Sequence, residues 1–347
     1  MQSVLITGAT GLIGGELILI LAARGVPTVG VVRAPDAQAA RARLLERLQK
    51  SERWQPRYAE LVTAVAGDVC EPLFGLDAAT LQAADVLVHS AANTSFKPGA
   101  GVFPINVKAA EQYAGILKTL RPSQRAFFVG TAAVTTAPRG LITEDMPFDG
   151  YANDYILSKR EAERLLRATG VPFVSLRPGI VLARGIDDAK LSRNMLWSIP
   201  VMAELGEVPL EPAARLDFAP VDFIAGAIAA MLLKPQLQHD CYHVSAGEAS
   251  MTLQALADAL TRQMPGIARV VMRGRDFVVT PEFARQRWMH GALEPYLPFL
   301  NADAVFCNAR LLAEIGSAAQ APKPDDYLSE LLQKFTLSDA VQQMYTP

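Results

Sequence analysis

The chain has 347 residues, half of them hydrophobic, and a net charge of −2, enough for one large α/β domain with a smaller lobe. No basic run interleaved with aromatics suggests nucleic acid, and no apolar stretch is long enough to span a bilayer. Cys70, Cys241 and Cys307 are odd in number and far apart, and the four histidines lack metal-ligand spacing, so reduced core cysteines and no metal are expected. Met1-Gln2-Ser3 enters the first strand directly, so no leader is expected and the protein is placed in the cytoplasm.

The first apolar run ends at Ile6. Thr7-Gly8-Ala9-Thr10-Gly11-Leu12-Ile13-Gly14 follows, and Glu16 to Ala23 reads as a helix. A strand that feeds a glycine turn opening a helix is the context of dinucleotide binding. Gly8 permits the tight turn, Gly11 lets backbone approach a pyrophosphate, and Gly14 allows close helix–strand packing. The helix N-terminus offers open N–H groups to the phosphates. The spacing is Gly-x-x-Gly-x-x-Gly. The second strand, Pro27 to Val32, ends in Arg33, where an NAD-selective site would place a carboxylate. A cation suits a 2′-phosphate, so NADPH is the expected cofactor. Arg41, Arg43 and Arg47 lie on an amphipathic helix with Leu44, Leu45 and Leu48 and read mostly as its wet face. Arg43 is the one assigned to help with the phosphate.

Leu61 to Ala66 is a further strand, followed by Gly67-Asp68-Val69. Asp68 either contacts an adenine amino group or serves the turn. Val86 to His89 leads into Ser90-Ala91-Ala92-Asn93, small residues past which a cofactor backbone fits. A helix over Ile105 to Leu120 carries Asn106 and Lys108. Phe127 to Val129 is a strand with Thr131 just beyond its end. A helix from about Asp154 to Ala168 carries Tyr155 and Lys159. Pro172 to Leu176 is a strand closed by Arg177-Pro178-Gly179. Strands alternating with short helical crossovers predict a doubly wound parallel (Rossmann) sheet. Gly8, Arg33, Asp68, Ala91 and Thr131 all fall at strand ends, where such sheets bind ligands.

After Gly179 the rhythm breaks. Residues 181 to 212 carry Trp197, Pro200, Pro209 and Pro212 without a period. A helix from Asp222 to Leu233 and a strand at Tyr242 to Val244 return to the sheet. From Met251 the chain is helical and irregular, with Pro265, Pro281, Pro295, Pro298, Pro322 and Pro324. The expected division is a dinucleotide domain over 1–180 and 213–247, with a smaller, C-terminal substrate lobe over 181–212 and 248–347.

Tyr155, Lys159 and Thr131 have separable tasks. A phenol with a pKa of ~10 is a poor proton donor at neutral pH. Lys159 is one helical turn away, and a nearby ammonium lowers a phenol pKa; it also suits the nicotinamide ribose. Thr131 would hold the substrate oxygen while Tyr155 protonates it. Tyr151 has no such partner, because residue 155, four positions on, is not a lysine.

Together the glycine turn, Thr131, Tyr155-Ile156-Leu157-Ser158-Lys159 and Leu176-Arg177-Pro178-Gly179 resemble an extended short-chain dehydrogenase/reductase over residues 1 to about 247. Within that class the chain resembles the thioester reductase and fatty acyl-CoA reductase branch. The residues behind this are Val31-Val32-Arg33-Ala34, Gly67-Asp68-Val69, Gly75-Leu76-Asp77, His89 through Phe96, Asn106-Val107 and Cys241 through Ser245. The resemblance implies catalysis by Thr131, Tyr155 and Lys159. Cofactor contacts fall to Gly8, Thr10, Gly11, Leu12, Ile13 and Gly14, to Arg33, Arg43, Asp68 and Val69, to Ala91, Ala92 and Asn106, and to Lys159, Pro178 and Gly179. It implies NADPH-dependent reduction of an acyl thioester to aldehyde or alcohol. No carrier or adenylation segment is present, so a free-standing monomer or homodimer meeting acyl-CoA or an acyl-carrier protein in trans is expected. A sugar dehydratase would carry Asp-Glu where Ala132-Ala133 stand. A nucleotide-sugar epimerase, a reductase of small ketones or aldehydes, and a cofactor-sensing non-enzyme remain as alternatives.

Overall fold

Strand β1 (Val4–Thr7) is buried along its whole length, as a strand covered on both faces must be. The computed structural model describes residues 3–96, 99–136, 139–187, 198–263, 270–281 and 283–333. Met1, Gln2, Trp197 and Pro265, named above, lie outside these. From β1 the chain runs through α1 (Leu12–Ala23), β2 (Thr28–Val32), α2 (Ala37–Gln49), β3 (Val62–Ala66), α3 (Ala78–Ala83), β4 (Val86–His89), α4 (Val102–Leu117) and β5 (Arg125–Val129). Next come β6 (Gly140–Ile142), α5 (Asp154–Arg167), β7 (Val174–Pro178), β8 (Ile180–Leu182), α6 (Ser198–Leu205), β9 (Glu207–Val208), β10 (Arg215–Leu216), β11 (Phe218–Pro220), α7 (Val221–Leu233) and β12 (Cys241–Val244). The remainder is β13 (Met251–Thr252), α8 (Leu253–Gln263), β14 (Val271–Met272), α9 (Ala284–Leu293), α10 (Leu297–Leu300), β15 (Ala304–Phe306), α11 (Ala309–Ile315) and α12 (Leu328–Gln333).

Seven strands form one parallel sheet in the order β12-β7-β5-β4-β1-β2-β3. Alternation along β1 sends Val4 and Ile6 into one core layer, with α1, α2 and α7, and Leu5 into the other, with α3, α4 and α5. This is the doubly wound architecture expected from the strand–helix rhythm. The order reverses between β2 and β4 on either side of β1, so a crevice opens at the carboxyl end of β1.

Local differences from the sequence reading have physical causes. Helix α1 starts at Leu12, not Glu16, because Gly11 takes the extended N-cap position and Gly14 fits inside the first turn. Helix α4 starts three residues earlier than expected, at Val102, since Pro104 is tolerated in a first turn. Arg47 is not on a wet face. It is 5% exposed and lies 3.6 Å from the buried Glu16 carboxylate. Arg41 spans from α2 to the carbonyls of Val62 (2.7 Å) and Ala59.

A separate buried cluster brings Val201, Met202, Leu210, Leu253, Met289 and Tyr327 together with Leu216 and Phe218. Residues 304–319, expected in the lobe, reach back to the sheet. Strand β15 pairs with β6 in parallel, and Leu311 and Ala319 are buried in the core shared by α1 and α7.

Candidate functional site

The crevice begins with a cradle that side chains would fill. Gly8 has φ +70°, and a Cβ there would lie 2.8 Å from the Ala91 amide nitrogen. A Cβ on Gly14 would collide with the Gly8 carbonyl oxygen. Gly11 N donates to that same oxygen at 2.8 Å. Gly11 carries no capping side chain, so first-turn N–H groups of α1 are left to a ligand, and the helix dipole favours an anion there. Leu12 and Ile13 line the crevice beside them. These features fit a dinucleotide pyrophosphate.

The opposite lip is fixed from below. Thr7 Oγ1 accepts from Ser90 N at 3.1 Å and Ala91 N at 3.2 Å, and it lies 2.8 Å from His89 Nδ1. The His89 ring is packed between Phe74, Tyr113 and Phe128, and burial pushes its pKa down to about 3. The imidazole is therefore neutral, and it shares a hydrogen bond with a Thr7 hydroxyl that already accepts from two backbone N–H groups. This places Ala91 and Ala92 on the crevice wall. Asn106 holds the same loop from outside the crevice. Its Oδ1 accepts from Asn93 N at 2.8 Å, and its Nδ2 donates to Asn93 O and Ser158 Oγ at 2.9 Å.

At the far end of the same sheet edge, Arg33 Nε lies 3.5 Å from the Asp68 carboxylate and Arg43 donates to the Arg33 carbonyl at 2.7 Å. Asp36, the nearest carboxylate in sequence, is occupied in capping α2. The Arg43 guanidinium thus reaches the Arg33 backbone where β2 ends, while the Arg33 side chain is 77% exposed. Asp68 also accepts from Cys70 N at 2.9 Å, a turn contact, and Val69 packs against the core layer beneath. Thr10, Arg33, Arg43, Asp68 and Val69 lie off the walls of the main crevice.

Thr131, Tyr155 and Lys159 converge on its other side. Thr131 follows β5 and caps a short turn over Ala132–Val134. Asn153 caps α5 by accepting from Ile156 N at 2.9 Å, which sets Tyr155 and Lys159 on the inward face. Lys159 is 4% exposed. Its ammonium donates to the Val129 carbonyl at 2.9 Å and sits 4.9 Å from the Phe128 ring centroid. Burial lowers its pKa to about 8, opposed by the Glu163 carboxylate one turn on. Burial pushes the Tyr155 phenol up to about 12, and the Thr131 side chain pulls it back. The expectation that Lys159 lowers the phenol pKa is corrected here: the ammonium is engaged by Val129, and desolvation of the ring dominates.

Beneath α5, Arg177 clamps Glu163 with Nε at 3.0 Å and NH2 at 2.6 Å, both groups buried. Sequence reading gave Arg177 only a place at a strand end. It also missed the aromatic end of the crevice, where Phe96, Tyr296, Phe299 and Phe306 join Tyr155. The whole cleft measures about 510 Å³ and reaches from Gly8 past Pro178 and Gly179 to those rings. Tyr151 faces a separate cavity of about 470 Å³, and its hydroxyl donates to the Pro295 carbonyl at 2.9 Å. Among the described residues no cluster of His, Cys, Asp and Glu is arranged to hold a metal. No described helix is long and apolar enough to cross a membrane.

Comparison with known proteins gives a family and a fold. The profile of a family described as Male sterility protein matches residues 6–228. A linear gramicidin synthase chain of Brevibacillus parabrevis is 28% identical over 260 residues, 70% of this chain and 5% of that protein. Aldehyde reductase lnbA of Aspergillus flavus is 26% identical over 295 residues, 75% of this chain and 29% of that protein. The chain therefore spans less than a third of the length of either relative. The crystal structure of the terminal R domain from the myxalamid PKS-NRPS biosynthetic pathway superposes with a TM-score of 0.73 at 23% identity, covering 100% of this chain and 92% of that one.

Proposed function

The chain belongs to the NAD-binding family described as Male sterility protein, and on that premise we propose that it reduces acyl thioesters with NADPH as electron donor. The protein is an NAD(P)-dependent oxidoreductase of the extended short-chain dehydrogenase/reductase class. The observation that carries the finer reading is the convergence of Thr131 and Tyr155 between the glycine cradle and an aromatic end of one cleft. The preference for the 2′-phosphorylated cofactor rests on the exposed Arg33 at the end of β2, with Arg43 reaching its backbone.

A nicotinamide cofactor held along the glycine cradle, Ala91, Ala92 and Lys159 would supply the hydride for the acyl carbon. Thr131 donates a hydrogen bond to the carbonyl oxygen, and Tyr155 delivers a proton to it as negative charge develops. Burial pushes the Tyr155 pKa up to about 12, so the phenol is protonated at neutral pH but a weak acid, and gives up its proton only as the oxygen beside it gains negative charge. The Lys159 ammonium, one turn along and held by the Val129 carbonyl, would bind the nicotinamide ribose. The resulting hemithioacetal loses its C–S bond, so one thioester, one NADPH and one proton give one aldehyde, one free thiol and one NADP⁺. A second round on the aldehyde would give the alcohol. The acyl group would arrive on coenzyme A or on an acyl-carrier partner.

A second reading, reduction of a free aldehyde or ketone, has support from the name of the Aspergillus flavus relative. One assay separates the two: NADPH consumption with acyl-CoA thioesters and matching aldehydes, while free thiol is titrated. Release of one thiol for every one or two NADPH consumed is expected; carbonyl turnover without any thiol release would sink the thioester reading.

A further inference from the structure

The aromatic end of the cleft is assembled from three distant parts of the chain. Phe96 comes from the loop after β4, Tyr155 from α5, Tyr296 from the turn joining α9 to α10, and Phe299 from α10. Phe96 stacks on Tyr296 with ring centroids 4.9 Å apart and planes 13° apart. It lies 5.7 Å from Tyr155 and meets Phe299 edge-on at 6.1 Å. Tyr151, four residues before Tyr155, anchors this wall through its hydrogen bond to the Pro295 carbonyl at 2.9 Å. Ile180 and Phe306 continue the surface. Among the described lining residues the one charged side chain is Lys159, and its ammonium is turned to Val129.

We propose that Tyr296 and Phe299, with Phe96, are specificity-determining residues that read the substituent on the reacting carbonyl, and that this substituent is an uncharged, apolar group. The inference rests on Tyr155 being the proton donor. A carbonyl oxygen within reach of Tyr155 places its carbon beside that ring, so the group attached to the carbon lies against Phe96 and the two lobe aromatics. Apolar or flat groups gain burial and ring contacts there. A carboxylate there would lose its water with no paired cation on the wall, which is costly.

The test compares two matched pairs: hexanoyl-CoA with adipoyl-CoA, and hexanal with 6-oxohexanoate. In whichever pair is turned over, kcat/KM for the neutral member should exceed that for the acid by at least about 100-fold. Tyr296→Ala should raise KM for the neutral substrate about 10-fold or more, leave KM for NADPH unchanged and narrow the preference. Tyr296→Phe should restore both. Equal use of acid and neutral substrate, or a Tyr296→Ala enzyme with unaltered KM and preference, overturns the proposal. So does silence on both pairs. Turnover of the aldehydes alone defeats the thioester reading while the aldehyde pair still decides this one.

Discussion

Tyr155 and Lys159 are separated by one helical turn, yet burial pushes their proton affinities in opposite directions. The phenol is raised to about 12 and the ammonium lowered to about 8, because desolvation disfavours whichever form carries charge. Tyr155 is thus a protonated donor across the working range. Lys159 loses its charge as pH climbs through about 8. If that charge holds the cofactor, the rate of carbonyl reduction should be level below that point and fall above it; a profile flat to about pH 10 would detach Lys159 from the reaction. Tyr155→Phe should lower kcat by about 10²–10⁴-fold while NADPH still binds, read by fluorescence titration, and an active variant would remove Tyr155 from the mechanism. Arg33→Asp sets a second carboxylate beside Asp68. It should weaken NADPH use far more than NADH use; equal effects on KM for both would end the 2′-phosphate assignment.

The glycine turn and helix α5 are each local, and local features were legible in the sequence. Spacing alone put Gly8, Gly11 and Gly14 at one strand end and Tyr155 and Lys159 on one helix face. Gly14→Ala should abolish dinucleotide binding and lower stability, because its Cβ meets the Gly8 carbonyl, a backbone atom that cannot swing aside; intact cofactor affinity would refute the close packing. What stayed hidden was contact between elements. Phe96 finds Tyr296 across two hundred residues, and no periodicity encodes that meeting. The hydrogen bond of Lys159 to Val129 depends on how α5 lies over β5. Parallel pairing of β6 with β15 joins two three-residue strands, each too short for a pattern. Arg47 belonged by periodicity to a wet face, and only the packing of α2 on α1 turns it inward to Glu16.

At the scale of the molecule, the alternation of strands and helices points to the parallel sheet, while the switch point beside β1, where the cleft opens, comes from the strand order. Asp217 lies behind the Gly179 stretch of the cleft wall. Its Oδ1 accepts from Ala246 N at 3.0 Å, and the Gly179 backbone lies against it. Burial raises its carboxyl pKa to about 7, above the ~3.9 of an unfolded chain. The folded state then keeps a proton that the unfolded state has lost, so stability falls as pH rises from ~4 towards ~7. A shift of that size is worth up to about 4 kcal/mol. Asp217→Asn should match the parent's stability near pH 4 and exceed it increasingly towards pH 7 in denaturant melts; a constant difference would mean that the carboxyl is not protonated in the fold.

Deuterium transfer reaches the central claim most directly. NADPH labelled at the transferable hydrogen would be incubated with an acyl-CoA, the product examined by mass spectrometry and the free thiol counted. Deuterium on the former thioester carbon, with at least one thiol released for every two NADPH oxidised and a rate about 10²–10⁴-fold lower from Tyr155→Phe, is the predicted result. NADPH oxidised with the thioester intact and no label on that carbon would contradict the account.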